Sequence, residues 1–426
     1  MISSDQPQIS APERPRSLQA ANARLAVAFG HFPLIAIVCL GFALRCFWWL
    51  KYPAVDSPDA IVYLKEAAIL FATGTMETVV YMPLYPILLH IAGANGTIVL
   101  QIVLSTVSIY LGYRIACDIW RRRSAGLVAA AMMAIHPMLI YYSTFRLTET
   151  DFIFLLLLGF AALYRNRILA AALAFTLANL MRPSLDLVFP AMIVAATFAT
   201  QSSPSVREIA RRLGIYALVY VALMSPWWLH NYAKYHRFVR LDLAGGVTMI
   251  LENNAQFEQY GLDWSKLAPW APFANIADPV ERDNAMRSAA IDYIWTHPLA
   301  WLRGDVDRAE RFFTPSDLNY GRLQRIVSDL VMTIMLIGAL LSLTYARIRW
   351  RVLLPIWLPI IFLTALHLSF HATPRYRLPL DPLLIALASG VLARAIAAGF
   401  HVRTRVSGVF KGRVDQPSIS HRPWAD

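Results

Sequence analysis

An all-α polytopic membrane protein is the fold class this sequence predicts, on three observations. Of its 426 residues, 57% are apolar and 15% charged, with mean hydropathy +0.48, against roughly a quarter charged in soluble domains. The apolar residues come in blocks of about the 20 that a helix needs to cross a bilayer. Arginines collect in alternate connections between those blocks, the mark of cytoplasmic loops.

The first 31 residues are polar, with Pro12, Pro15 and several Ser and Ala, and read as a disordered cytoplasmic tail. The apolar run that follows has no small-residue cleavage site suited to a signal peptide, so it reads as a retained span. Ten spans are expected, at 32–50, 97–117, 124–142, 150–164, 168–181, 184–200, 213–229, 326–346, 352–370 and 378–398. They divide the chain into a transmembrane module over 32–229 that includes a first outer loop at 51–96, a larger outer loop at 230–325, C-terminal spans over 326–398, and a basic cytoplasmic tail at 399–426.

From a cytoplasmic N-terminus, the inner loops hold Arg121, Arg122, Arg123, Arg165, Arg167, Arg207, Arg211, Arg212, Arg347, Arg349 and Arg351. Glu208 is the acid within them, with Asp118 at a span edge. The net charge of +12 is therefore topology plus attraction to anionic membrane lipids, and no nucleic-acid partner is needed to explain it. Cys39, Cys46 and Cys117 lie in or beside apolar runs, which gives no disulfide framework. The outer loop at 230–325 carries 11 Lys/Arg and 12 Asp/Glu, balanced like a soluble surface. Its Asp278-Pro279-Val280-Glu281 is a helix start, an acid cap with proline first, and Pro298 begins another helix. A small helical subdomain is expected there. No internal repeat is visible, unlike the inverted halves of many transporters.

With this topology, ionisable residues converge on the outer face. Asp56 and Asp59 follow span one; Arg146, Glu149 and Asp151 lie between spans three and four; Arg182 and Asp186 between five and six; Arg375, Arg377 and Asp381 between nine and ten. Charges at membrane depth are costly and face a cavity or a partner, and this set suits an anionic ligand head approached from within the membrane. Local pairing is the simpler account of each loop taken singly: Arg146 snorkelling to headgroups, Arg182 with Asp186, an arginine of the last turn with Asp381. Asp59 has a plain reading too. Ser57 can cap a helix over 59–73 with Pro58 first, and an acid in the first turn suits the helix dipole. That helix carries Ile61, Leu64, Ala68 and Phe71 on one face, as an interfacial helix does.

Several segments taken together resemble the polyprenyl-phosphate-sugar-dependent glycosyltransferases of the membrane GT-C fold. The nearest group is the family 39-like enzymes, related to protein O-mannosyltransferases and lipid A aminoarabinose transferase. Asp59 with Tyr63 four residues on resembles the acid-x-x-x-Tyr of the first outer loop, and YMPLYPILLHIAG resembles the proline-rich segment after it. SAGLVAAAMMAIHPMLIYYSTFRLTETDFIF resembles spans three and four with their Glu-containing turn, and LANLMRPSLDLVFPA the Leu-x-Arg-Pro segment. SPWWLHNYAKYHRFVRLDLAGGVTMILENN resembles the pattern PWxxRNYxxxGxFV…GGxNxxxGNN, and RYRLPLDPLL resembles the last outer turn.

The resemblance implies a GT-C-like bundle of about ten transmembrane helices, with juxtamembrane helices at the outer face, and makes 32–229 the catalytic module. It implies an inverting sugar transfer from a polyprenyl-phosphate monosaccharide to a hydroxyl of a lipid, glycan or protein, at the outer face of a bacterial inner membrane. Asp59 is then the catalytic base, with Asp56 the alternative. Arg375, Arg377, Arg146 and Arg182 bind the donor phosphate. Glu149, Tyr376, Tyr81, Tyr63, His230 and Asn231 contact substrate. Arginines can stabilise a leaving phosphate without a metal, so no cofactor is required, and a divalent metal is left open. The chain also departs from the family's patterns. Val80-Tyr81 stand where the aminoarabinose branch has Glu-Lys, His230 stands for the usual arginine, and Leu251-Glu252 replace the glycine before Asn253-Asn254. The metal site and sugar of that branch are therefore not carried over, and a different acceptor is expected at the long loop. Two other classes compete: a transporter or flippase of lipid-linked sugars, and a polymerase or ligase using diphosphate-linked oligosaccharide.

Overall fold

The computed structural model describes residues 16–52, 56–263, 265–315 and 322–411. These residues contain no strand and fold into helices joined by short loops and 3-10 turns. In chain order the helices are α1 (Arg16–Lys51), α2 (Pro58–Thr73), α3 (Leu84–Trp120), α4 (Arg123–Ile135), α5 (Pro137–Tyr142), α6 (Glu149–Leu163), α7 (Ile168–Met181), α8 (Val188–Thr200) and α9 (Val206–Tyr235). The outer loop adds α10 (Gly245–Glu252), α11 (Ala255–Tyr260), α12 (Pro279–Thr296) and α13 (Pro298–Phe313). The C-terminal part has α14 (Arg322–Ser342), α15 (Ala346–Ser369), α16 (Pro374–Arg377) and α17 (Asp381–Lys411).

The chain is a multi-pass membrane protein. Among the described residues six segments are long and apolar enough to cross a bilayer: Phe32–Lys51, Leu84–Trp120, Val206–Tyr235, Arg325–Tyr345, Trp350–Ser369 and Pro374–Ala398. The four other expected spans coincide with shorter helices, α4 with α5, then α6, α7 and α8. The third is broken at His136, whose backbone is extended (φ −65°, ψ 116°) because Pro137 follows it. The His136 ring then accepts from Leu139 N at 3.4 Å, capping α5. The second span begins earlier than expected, at Leu84, and bends at Gly93 (φ +72°), a left-handed conformation that glycine adopts without strain.

The expected tail at 1–31 is helical from Arg16, since LQAANARLAVA is rich in good helix formers, while residues 1–15 lie outside the described residues. Likewise α17 continues to Lys411, and 412–426 lie outside.

Packing is close where small residues meet large ones. Buried Trp120 of α3 lies where a Cβ on Gly390 of α17 would fall 2.0 Å from it, and its indole donates to Ala386 O at 2.9 Å. α3 packs on α4 and α6, α7 on α6 and α9, and α15 on α8. In the outer loop, α10 packs on α12. There Gly246 N donates to Asp283 Oδ1 at 2.5 Å, an approach a side chain at 246 would block.

Candidate active site

The first wall of the site is made by α2. Ser57 Oγ accepts from Ala60 N at 3.2 Å and Pro58 opens the helix, so Asp59 stands in the first turn with its side chain 38% exposed. Tyr81 donates its hydroxyl to Asp59 Oδ1 at 3.2 Å. Burial and the Asp59 charge push the Tyr81 hydroxyl well above the usual tyrosine range, so it stays a donor. Tyr63, one turn beyond Asp59, packs on Tyr81 and Tyr85 with ring centroids 4.3 and 4.9 Å away. The acid and its neighbouring rings form one unit.

Arg375 closes the second wall. Its Nη1 donates to Asp59 Oδ2 and its Nε to Glu149 Oε1, both at 2.5 Å. Glu149 is fully buried at the start of α6 and also accepts from Arg182 Nη1 at 2.8 Å. The Arg182 guanidinium lies 4.8 Å from the Tyr376 ring centroid, and Tyr376 stacks on His367 at 4.8 Å. One buried carboxylate thus orients two arginines that arrive from connections far apart in sequence.

These residues border a cavity of ≈ 730 Å³, a volume fit for a sugar and a phosphate. Its remaining wall is the segment 238–249 with part of α12. Here sequence reasoning missed three polar residues. Arg240 pairs with Asp186 at 2.6 Å, Arg287 pairs with Asp283 at 2.6 Å, and Asp242 makes no ion pair among the described residues. Burial pushes the Asp242 carboxyl up to about 7. The signal available was position alone: Asp242 lies inside the matched stretch RLDLAGG.

Not every expected residue reaches this cavity. Asp59, Arg375, Arg182, Tyr63, Tyr81 and Tyr376 line it, with Glu149 behind the arginines. Asp56 pairs instead with Arg146, whose Nε donates to Ala94 O at 3.1 Å; together they brace the bend in α3. Arg377 is turned away and buried. It donates to Asp381 Oδ1 at 3.0 Å and to Thr314 O at 2.6 Å, which ties α17 to the end of α13. The expected local pairing with Asp381 is thus made by Arg377, whereas Asp186 goes to Arg240 rather than Arg182. His230 accepts from Met76 N at 3.3 Å, and buried Asn231 donates to Val239 O at 3.0 Å; both hold loops in place. No cluster of three or more His, Cys, Asp or Glu able to hold a metal occurs among the described residues.

The arrangement of helices is that of the GT-C membrane fold. Among solved structures, the chain is similar to the apo oligosaccharyltransferase of Archaeoglobus fulgidus, with 12% identity, 88% of this chain and 52% of that one covered, and a TM-score of 0.55. It is also similar to the oligosaccharyltransferase AglB of that organism in complex with an inhibitory peptide and a dolichol-phosphate, at 12% identity, 92% and 53% coverage and TM-score 0.53. A third likeness is to ArnT of Cupriavidus metallidurans bound to undecaprenyl phosphate, at 13% identity, 87% and 78% coverage and TM-score 0.42. The chain spans about half the length of the oligosaccharyltransferases it matches, and at this identity the likeness is one of fold. No family model matches the chain, and no curated protein matches it in sequence.

Proposed function

We propose that this protein moves one sugar from a polyprenyl-phosphate monosaccharide to an acceptor hydroxyl at the outer face of a bacterial inner membrane. The observation that carries the reading is the double contact of Arg375 with Asp59 and Glu149 on the wall of a ≈ 730 Å³ cavity. A proton acceptor and a phosphate-binding cation stand there in one hydrogen-bonded network. AglB, which shares the fold, is seen with a dolichol-phosphate, and this supports a lipid-phosphate ligand here.

The chemistry follows from the groups present. A sugar hydroxyl is a poor nucleophile, so Asp59 takes its proton as the oxygen bonds to the anomeric carbon. The bond from that carbon to the phosphate oxygen breaks, and its electron pair leaves with the lipid phosphate. Arg375 and Arg182 supply N–H donors to the growing phosphate charge, while Glu149 holds their orientation. Tyr81 keeps the second carboxylate oxygen of Asp59 engaged. Attack opposite the departing phosphate inverts the anomeric carbon, and Asp59 then releases its proton to water. No cofactor enters this scheme. The acceptor is a glycan, lipid or protein hydroxyl.

Purified protein incubated with radiolabelled polyprenyl-phosphate monosaccharides tests the reading. Release of free polyprenyl phosphate, with the label moved to an acceptor, is the expected result. Consumption of diphosphate-linked oligosaccharide alone would make the protein a polymerase or ligase. Passage of intact lipid across a liposome bilayer without bond cleavage would make it a transporter.

A further inference from the structure

The segment after α9 is fastened at four successive places. Asn231 Nδ2 donates to Val239 O at 3.0 Å, Trp228 Nε1 to Arg240 O at 2.9 Å, and Trp227 Nε1 to Leu241 O at 2.8 Å. Leu243 N then donates to Val79 O at 2.7 Å, tying the segment to the stretch that presents Tyr81. The Pro-Trp-Trp motif and Asn231 therefore serve one purpose, to hold residues 239–243 rigidly against the cavity. That clamp carries two ionisable side chains, Arg240, which pairs with Asp186, and Asp242.

Among the described residues three carboxylates line the cavity, Asp59, Asp242 and Asp283. Asp59 is paired with Arg375 and Asp283 with Arg287. Asp242 has no such partner among the described residues; its Oδ1 accepts from Ala244 N at 3.3 Å. A half-buried carboxylate without a counterion costs stability, and such a group is retained where it binds something.

We propose that Asp242 binds the acceptor, accepting a hydrogen bond from a hydroxyl of an uncharged sugar. The inference rests on the transferase reading above. The surroundings select the class. Arg182 and Arg287 act on Asp242 through space and disfavour an ammonium group beside it. Asp242 and Asp283 together disfavour an anion. A hydroxyl satisfies the free carboxylate oxygen without adding charge, and Phe370, which also lines the cavity, offers an apolar face to a pyranose ring.

Asp242 also opens a local turn through Ala244 N, a role asparagine performs equally well. Asp242→Asn therefore separates the turn from the carboxylate. With full-length protein, the donor found active in the panel and octyl β-glycosides of glucose, galactose and mannose as probes, KM is measured for each substrate. The variant is expected to raise the KM for octyl glycoside at least about tenfold, with the donor KM within about twofold of wild type. An unchanged glycoside KM overturns the assignment, as does a parallel rise in donor KM. Wild type that releases lipid phosphate but glycosylates no octyl glycoside overturns the sugar class. Wild type that consumes no donor sinks the transferase reading itself, and that outcome is visible before any variant is compared.

Discussion

Arg375 grips Asp59 with one edge of its guanidinium and Glu149 with another, at 2.5 Å each. The pairing holds the base candidate in place at the cavity wall. An incoming phosphate offers Arg375 a second anion, and Glu149 remains to hold the arginine in register.

Asp59→Asn keeps the size and the Tyr81 contact and removes the charge. Turnover should fall by roughly the 10²–10⁴-fold typical of a lost general base, with thermal stability close to wild type. Asp56→Asn should cost far less turnover, since Asp56 sits with Arg146 at the α3 bend and does not line the cavity. Steady-state rates on the two variants check this. A dead Asp56→Asn beside an active Asp59→Asn would move the base to Asp56.

The two arginines of the last outer turn should separate by phenotype. Arg375→Lys retains a cation but cannot reach both carboxylates at once, so it should depress turnover more than donor KM, with folding intact. Arg377→Lys acts inside a buried set of acceptors, Asp381 Oδ1, Phe312 O and Thr314 O. A lysine leaves some of them unpaired, and each unpaired buried group costs about 1–3 kcal/mol. Its thermal midpoint in detergent should drop clearly, and the residual folded protein should keep its donor KM. Equal turnover losses at equal stability would contradict the separation.

That turn also marks the limit of what was legible beforehand. Two arginines two residues apart share a side if the chain is extended, and that is how Pro374-Arg375-Tyr376-Arg377 reads. The chain forms a short helix there, in which residues two apart point roughly 200° apart, so one arginine faces the cavity and the other the core. Local signals fared better: the Ser57–Pro58 start of α2 and the Asp278 cap of α12, which accepts from Val280 N at 2.8 Å, both follow from short-range chemistry. The apolar blocks located helices for the same reason, six of them long and apolar enough to cross a bilayer among the described residues. Which carboxylate each arginine would choose was not legible, because Arg375 and Glu149 are 226 positions apart in the chain. Asp242 escaped notice for a related cause, since its lack of a counterion is a property of the folded cavity and not of any local pattern.

The last expectation concerns Asp242 and pH. Its carboxyl stands at about 7 in the folded protein, against roughly 3.9 in an unfolded chain. Below the unfolded value both states hold the proton, and the residue is neutral in its effect. As pH rises from about 4, the unfolded state releases its proton first while the folded state retains it. Stability is lost progressively until the folded carboxyl also ionises near pH 7. Arg182 and Arg287 soften this loss and Asp283 deepens it, but burial outweighs all three. Asparagine at 242 does not titrate and keeps the turn through Ala244 N. The stability of Asp242→Asn relative to wild type should therefore be greater at pH 8 than at pH 4.5, read as the difference in thermal midpoint of the two proteins in one detergent. A difference that is the same at both values, or that reverses at pH 8, would show that Asp242 already has a partner in the free protein. A widening difference would mean that the protein carries an unpaired acid at neutral pH where a neutral side chain would be more stable, as expected of a residue whose partner is the acceptor.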